Sequence, residues 1–144
     1  MIDSNFIKNS KIGSQNVSRE TLDELNKYSL SIIKKNKEIN LISSSTEKSI
    51  NTRHISDSAQ TIDFINKNDV TVCTDLGSGA GLPGIVLAIL MKPKKPEFKI
   101  IIYEKSYHKS KFLKEISKKF KLNTEINQKN IFDQKDLRTD IIIS

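Results

Sequence analysis

The sequence predicts an α/β fold in which a mostly parallel sheet follows an N-terminal helical lobe. Three observations lead there. After residue 67, short β-branched runs alternate with segments of helical period; a glycine-rich turn follows the first of those runs directly; and the residues before 67 show helical periodicity alone. At 144 residues the chain is sized for one compact unit, organised as a helical lobe over 1–66 and a sheet-bearing segment over 67–144.

Ser18 is placed to cap a helix whose first turn carries Glu20. Leu22, Leu25, Ile32 and Ile33 recur at spacings near three, four and seven, which predicts an amphipathic helix ending near Asn36. The polar run Ser43-Ser44-Ser45-Thr46 predicts a loop, and Ile50, Ile55, Ala59 and Ile62 a second helix from about Ser49 to Ile65. Asn66-Lys67-Asn68-Asp69 breaks the pattern. Val70–Thr74 then reads as a buried strand, Ile85–Met91 as an apolar helix, and Phe98–Tyr103 as a second buried strand ending at Glu104. From about Tyr107 to Phe120, Phe112, Leu113, Ile116 and Phe120 share one helical face and lysines the other. Thr124–Gln128 and Ile141–Ile143 supply a third and a fourth strand. Apolar strands joined by helices are the pattern of a parallel sheet with right-handed crossovers.

Composition narrows the functional classes. A hydrophobic fraction of 36% with 28% charged residues fits a folded globule rather than a disordered or fibrous chain. The single cysteine excludes a disulfide framework within the chain and a cysteine-based zinc site, and Cys73, inside a strand, reads as a small buried hydrophobe. His54 and His108 lie in separate segments and make no metal site. The apolar run from Ile85 to Met91 is too short to span a bilayer, and no secretion signal opens the chain, so the expectation is a cytoplasmic protein without a membrane partner. The net charge of +7 is uneven: residues 92–121 hold eleven lysines against Glu97, Glu104 and Glu115. Such a concentration suits a phosphate-backbone partner; a solvated helix face in a lysine-rich chain is the plain alternative.

The run Asp75-Leu76-Gly77-Ser78-Gly79-Ala80-Gly81-Leu82-Pro83-Gly84 carries the most chemistry. Alternating glycines after a strand allow a tight turn and let a ligand sit against bare peptide groups, while Pro83 is tolerated at the start of the next helix. Glu104 ends the second strand 23 residues after Gly81, where a carboxylate that accepts both ribose hydroxyls belongs. Gly79-x-Gly81-x-x-Gly84 matches a dinucleotide fingerprint, but in that fingerprint the first glycine follows the strand at once. A phosphate-binding P-loop is excluded because no Gly-Lys-Ser/Thr follows. Asp75 is expected to orient the loop by accepting hydrogen bonds from its N–H groups.

Asp-x-Gly-x-Gly-x-Gly resembles the first motif of class I S-adenosylmethionine-dependent methyltransferases. With its flanks the resemblance becomes specific. Asn40-Leu41-Ile42, Arg53-His54-Ile55-Ser56-Asp57-Ser58, the Leu82-Pro83-Gly84 tail, and Glu104 followed by Lys109-Ser110-Lys111-Phe112-Leu113 are together similar to the bacterial RsmG (GidB) family, over about Asn40 to Ser144. The resemblance implies a Rossmann-like class I methyltransferase fold, three-layered α/β/α, with S-adenosyl-L-methionine as cofactor. It implies methylation of guanine N7 in the decoding region of 16S rRNA, and hence the small ribosomal subunit as partner. It carries Gly77 and Leu82 over as cofactor contacts, beside Asp75, Gly79, Gly81 and Glu104. A later adenine-side contact falls at Asn130-Ile131; the family has an acid where this chain has Ile131, so the backbone would serve there. His54, Lys105, Lys109 and Lys111 are the RNA-side candidates, although His54, near Asp57 and Ser58, suits packing or hydrogen bonding of the lobe onto the sheet better than substrate contact. Guanine N7 offers a free lone pair, so no general acid or base is nominated.

Two other readings stay open: a noncatalytic RNA-binding module using Lys92–Lys121, and a dinucleotide-binding oxidoreductase fragment. The family pattern continues beyond this point with Ser-Arg-Ala and more sheet. The expectation is therefore a truncated form whose sheet is incomplete after its fourth strand, leaving an open apolar edge at Ile141–Ile143.

Overall fold

The structure, a computed structural model, describes residues 11–12, 15–50 and 56–144. A short hairpin of β1 (Lys11–Ile12) and β2 (Gln15–Asn16) precedes α1 (Arg19–Asn36), the single turn α2 (Ser44–Glu47) and α3 (Ser56–Lys67). There follow β3 (Val72–Leu76), α4 (Gly84–Met91), β4 (Lys99–Tyr103), α5 (Tyr107–Lys119), β5 (Thr124–Asn127), a 3-10 turn at Ile131–Asp133, and β6 (Ile141–Ile143).

The sheet order is β5-β4-β3-β6 and every pairing in it is parallel. From β3 the chain steps outward through β4 to β5, then returns to add β6 on the other side of β3. Strand order thus reverses at β3, and open α/β sheets bind ligands outside the carboxyl ends of the strands around such a reversal. This is a Rossmann-like parallel sheet with flanking helices, as predicted.

Local chemistry explains the elements. Ser18 Oγ accepts the Thr21 N–H at 3.1 Å and caps α1. The Asn36 carboxamide oxygen accepts from the N–H groups of Leu41 and Ile42 at 2.9 and 3.0 Å, and its nitrogen donates to Glu47, which ties the end of α1 to α2. Every residue of α4 is buried, and the helix packs on β4 with α1 and α3 against it. Leu25, Tyr28 and Ile32 of α1, Ile62 of α3, and Ile85, Leu87 and Ile89 of α4 are fully buried in one core shared with Ile100 and Ile102 of β4. Each such aliphatic side chain contributes about 1.5–3 kcal/mol by leaving water.

Several expectations need correction. The first 66 residues are not all helical, because the β1–β2 hairpin opens the described chain; two-residue strands carry no readable period. Ser43–Thr46 is not a plain loop: Ser43 Oγ accepts the Thr46 N–H at 3.2 Å and starts α2. The helix expected from Ser49 starts at Ser56 among the described residues. The first sheet strand runs Val72–Leu76, two residues later than Val70–Thr74. Asp140 Oδ2 accepts the N–H groups of Thr71 and Val72, both at 2.9 Å, at its start, and Asp75 and Leu76 remain in register with Ile102 and Tyr103. These bonds hold the Asp140 carboxyl below its ordinary range, Val72 N–H having the larger effect. Pro83 is the residue preceding α4, and Gly84 opens the helix.

Candidate functional site

At the carboxyl end of β3 the chain enters a turn that only glycines accommodate, with φ of +69° at Gly77, +56° at Gly79 and +99° at Gly81. The four glycines divide by what surrounds them. A Cβ on Gly81 would stand 2.5 Å from Ile85 Cγ1 and 2.9 Å from the Tyr28 hydroxyl, and one on Gly84 2.6 Å from Asp75 Oδ2. At Gly77 and Gly79 a Cβ would meet nothing within 4 Å. The first pair is required by packing, whereas the second faces open space.

The expected cradle of bare peptide groups needs revision. Gly77 N–H donates to Tyr103 O, Gly79 N–H to Glu104 Oε2, Gly81 N–H to Ser78 O and Gly84 N–H to Asp75 Oδ2, each at 2.9 Å. The glycine amides are committed within the protein, and a carboxylate already sits at the start of α4. Glu104, 9% exposed at the end of β4, lies on the same side as the turn. Its second oxygen accepts the Ser106 N–H at 3.1 Å. Each carboxylate oxygen keeps a further lone pair for a hydroxyl donor.

Asp75 belongs to the strand rather than the loop and is wholly buried. Burial pushes its carboxyl up from 3.8 to about 6; the Ser78 hydroxyl and the Gly84 N–H work against the shift, and the Glu104 charge adds to it. Asp75 Oδ1, Thr74 Oγ1 and Ser78 Oγ are buried without a hydrogen-bond partner among the described residues, the Ser78 hydroxyl standing outside hydrogen-bonding geometry. Because the folded-state value exceeds the ordinary one, the stability linked to this group is full below pH 4 and lost as pH rises through about 6. Asp75→Asn is therefore expected to gain about 3 kcal/mol relative to wild type between pH 4 and pH 7 in urea titrations, whereas a flat difference would contradict the assignment.

A cavity of about 190 Å³ opens beside the turn, lined by Leu76, Gly77, Tyr103, Glu104, Lys105, Lys129 and Ile131. Of the candidate cofactor residues, Gly77, Glu104 and Ile131 thus line one hollow. Asn130 does not line it; its side chain accepts the Phe132 N–H at 3.1 Å and caps the 3-10 turn. Leu82 packs against the core, and its N–H donates to Ser78 O. A larger hollow of about 320 Å³ lies between α1 and α5, lined by Lys34, Lys35, Lys119, Phe112 and their neighbours. It is away from the strand ends.

The lysine-rich stretch is less free than its charge suggests. Lys92 pairs with Glu24 at 2.6 Å and donates to Phe120 O, Lys95 pairs with Asp69 and Lys99 with Glu125, both at 2.9 Å. Lys109 and Lys111 do not share a face of α5. Lys109 is half-buried on the side of Phe112, Leu113 and Ile116, while Lys111 is exposed with Lys114 and Lys118 at spacings of three and seven. Arg53 and His54 lie outside the described residues. Burial pushes the Cys73 thiol up to about 12, with the Asp75 charge adding to it, which leaves no thiolate for chemistry. Among the described residues no group of acids, histidines or cysteines could hold a metal, and no helix is long and apolar enough to cross a membrane.

Sequence reasoning missed Tyr28. Its hydroxyl donates to Ala80 O at 2.7 Å, so α1 reaches into the glycine turn. With Leu25 and Ile32 it reads as an ordinary core position of an amphipathic helix, and no local signal marks the phenol.

A parallel sheet with this strand order, a glycine turn after its first strand and an acid ending the neighbouring strand define the Rossmann-like fold of class I methyltransferases. The chain belongs to the rRNA small subunit methyltransferase G (GidB) family, whose model matches residues 21–144. The match thus takes in α1 as well as the stretch from Asn40 onward. Among its relatives, the ribosomal RNA small subunit methyltransferase G of Pelagibacter ubique (strain HTCC1062) is 45% identical over 133 residues, covering 91% of this chain and 62% of that protein. The protein of the same description from Cereibacter sphaeroides (strain ATCC 17025) is 40% identical over 127 residues, covering 88% and 61%. The chain therefore spans somewhat over 60% of the length of these relatives. A Plasmodium falciparum crystal structure assigned as a protein-L-isoaspartate O-methyltransferase, in complex with S-adenosyl-L-homocysteine, superposes with a TM-score of 0.41 and 23% identity over 54% of this chain and 40% of that one.

Proposed function

We propose that the crevice beyond β3 and β4 binds S-adenosyl-L-methionine, and that the protein transfers its methyl group to guanine N7 in the decoding region of 16S rRNA, in the cytoplasm. One observation supports this cofactor over a dinucleotide: the Asp75 carboxylate accepts the first N–H of α4, at the position a pyrophosphate would need. A negative group there repels phosphate and favours a cationic ligand.

The residues present fit such a ligand. Open space at Gly77 and Gly79 leaves room beside the turn, Glu104 has lone pairs for the two ribose hydroxyls, and Leu76, Tyr103 and Ile131 supply apolar walls for a purine. When bound, the cofactor supplies an electrophilic methyl group on a sulfonium. The acceptor N7 carries a lone pair and loses no proton, so no side chain need act as a base; the protein's task is alignment. RNA is held by phosphate contacts, for which Lys105 and the stripe of Lys111, Lys114 and Lys118 are the candidates at and beyond the crevice rim, with Lys109 at the inner side of the first turn of α5.

The test is transfer of labelled methyl from S-adenosyl-L-methionine to 16S rRNA, followed by borohydride and aniline treatment, which cleaves RNA at N7-methylguanine. The expected result is label and one cleavage in the decoding region. Label at another atom would overturn the site of methylation, and RNA binding without transfer would favour the noncatalytic module. Changing Lys111, Lys114 and Lys118 to Gln is expected to flatten the salt dependence of RNA binding by about two in slope. S-adenosyl-L-homocysteine affinity should stay unchanged, and an unaltered slope would remove this face from the RNA interface.

A further inference from the structure

We propose that Tyr28 is a positioning residue for the glycine turn, its phenol fixing from α1 the loop shape that receives the cofactor. Tyr28 is wholly buried and donates to Ala80 O at 2.7 Å across 52 residues of sequence. Ala80 stands between Gly79 and Gly81, both in left-handed backbone that a flexible glycine segment would leave readily. A Cβ at Gly79 would meet nothing within 4 Å, so no side-chain packing at that position braces the turn beside its N–H bond to Glu104, and Gly81 leaves room for the same hydroxyl, which would lie 2.9 Å from a Cβ there. The phenol thus fills the notch that the glycine creates and grips the carbonyl one residue earlier.

The ring itself is held rigidly. Leu25 and Ile32, three residues before and four after, share its face of α1 and are fully buried. Burial, with the Asp75 charge adding to it, holds the phenol's ionisation well above its ordinary range, so the hydroxyl remains a donor at every working pH. The helix that precedes the sheet therefore acts on the site, and a shift of α1 is felt at Gly79–Gly81.

This inference rests on the cofactor reading above, and two measurements on Tyr28→Phe separate them. The substitution keeps the ring and leaves the Ala80 carbonyl buried without its donor. Amide hydrogen exchange of the protein alone is expected to quicken about ten-fold at Gly79, Gly81 and Leu82, with Cys73 and Ile100 unchanged. Calorimetry with S-adenosyl-L-homocysteine is expected to show about ten-fold weaker binding. Ile32→Val, on the same face of α1, serves as the packing control and should lower thermal stability while leaving turn exchange and affinity within two-fold. Unchanged turn exchange in Tyr28→Phe, or equal effects from Ile32→Val, would overturn the positioning role. If the wild type failed to bind the ligand while Tyr28→Phe still loosened the turn, the cofactor reading would fall and the positioning of the turn would stand.

Discussion

Glu104→Gln is expected to weaken S-adenosyl-L-homocysteine binding by a hundred-fold or more while the protein still folds. The native carboxylate accepts the N–H groups of Gly79 and Ser106, one on each oxygen. A carboxamide has one accepting end, so its nitrogen must face one of those two donors. A charge-assisted hydrogen bond contributes about 1.5–3 kcal/mol, and the loss extends to any ribose hydroxyl sharing the same oxygens. About 2.7 kcal/mol corresponds to the hundred-fold change. Calorimetry on the two proteins decides it, and affinities within three-fold of each other would remove Glu104 from the site.

Gly81→Ala is expected to destabilise the protein by about 3 kcal/mol, and Gly79→Ala by only about 1 kcal/mol. Both positions have positive φ, which accounts for the smaller figure. The difference comes from the methyl group, which at Gly81 overlaps Ile85 and presses on the Tyr28 hydroxyl but at Gly79 enters open space. Ligand affinity should follow the opposite order relative to stability. Gly79→Ala adds its methyl to open space beside the turn and is expected to weaken S-adenosyl-L-homocysteine binding out of proportion to its small loss in urea denaturation. Equal destabilisation by the two variants would contradict the division of the glycines into packing and ligand-facing pairs.

Much of the sheet was legible because its strands are short β-branched runs between helices of clear period. β4 and α4 fall within a residue of their predicted bounds, as does the start of α5. The approach of Glu104 to the glycine turn was legible from spacing alone, since adjacent parallel strands bring their carboxyl ends together. What escaped was non-local. Asp75 has low strand propensity, and pairing with Ile102 of β4 on one side and Ile143 of β6 on the other keeps it in β3. The commitment of the Gly77 and Gly79 amides to Tyr103 and Glu104, the Tyr28 phenol at Ala80, and the acids that occupy Lys92, Lys95 and Lys99 all join residues distant in sequence. No periodicity reports such contacts. Charge counting overestimated the free basic surface for the same reason, since Glu24, Asp69 and Glu125 lie outside the lysine-rich stretch.

The most direct test is amide chemical-shift mapping of the 144-residue chain on addition of S-adenosyl-L-homocysteine. The shifts are expected at Gly77, Gly79, Lys105 and Ile131, around the hollow at the strand ends, and to saturate at one ligand per chain. Shifts confined to the groove between α1 and α5, or absent at every residue, would contradict the placement of the adenosyl site.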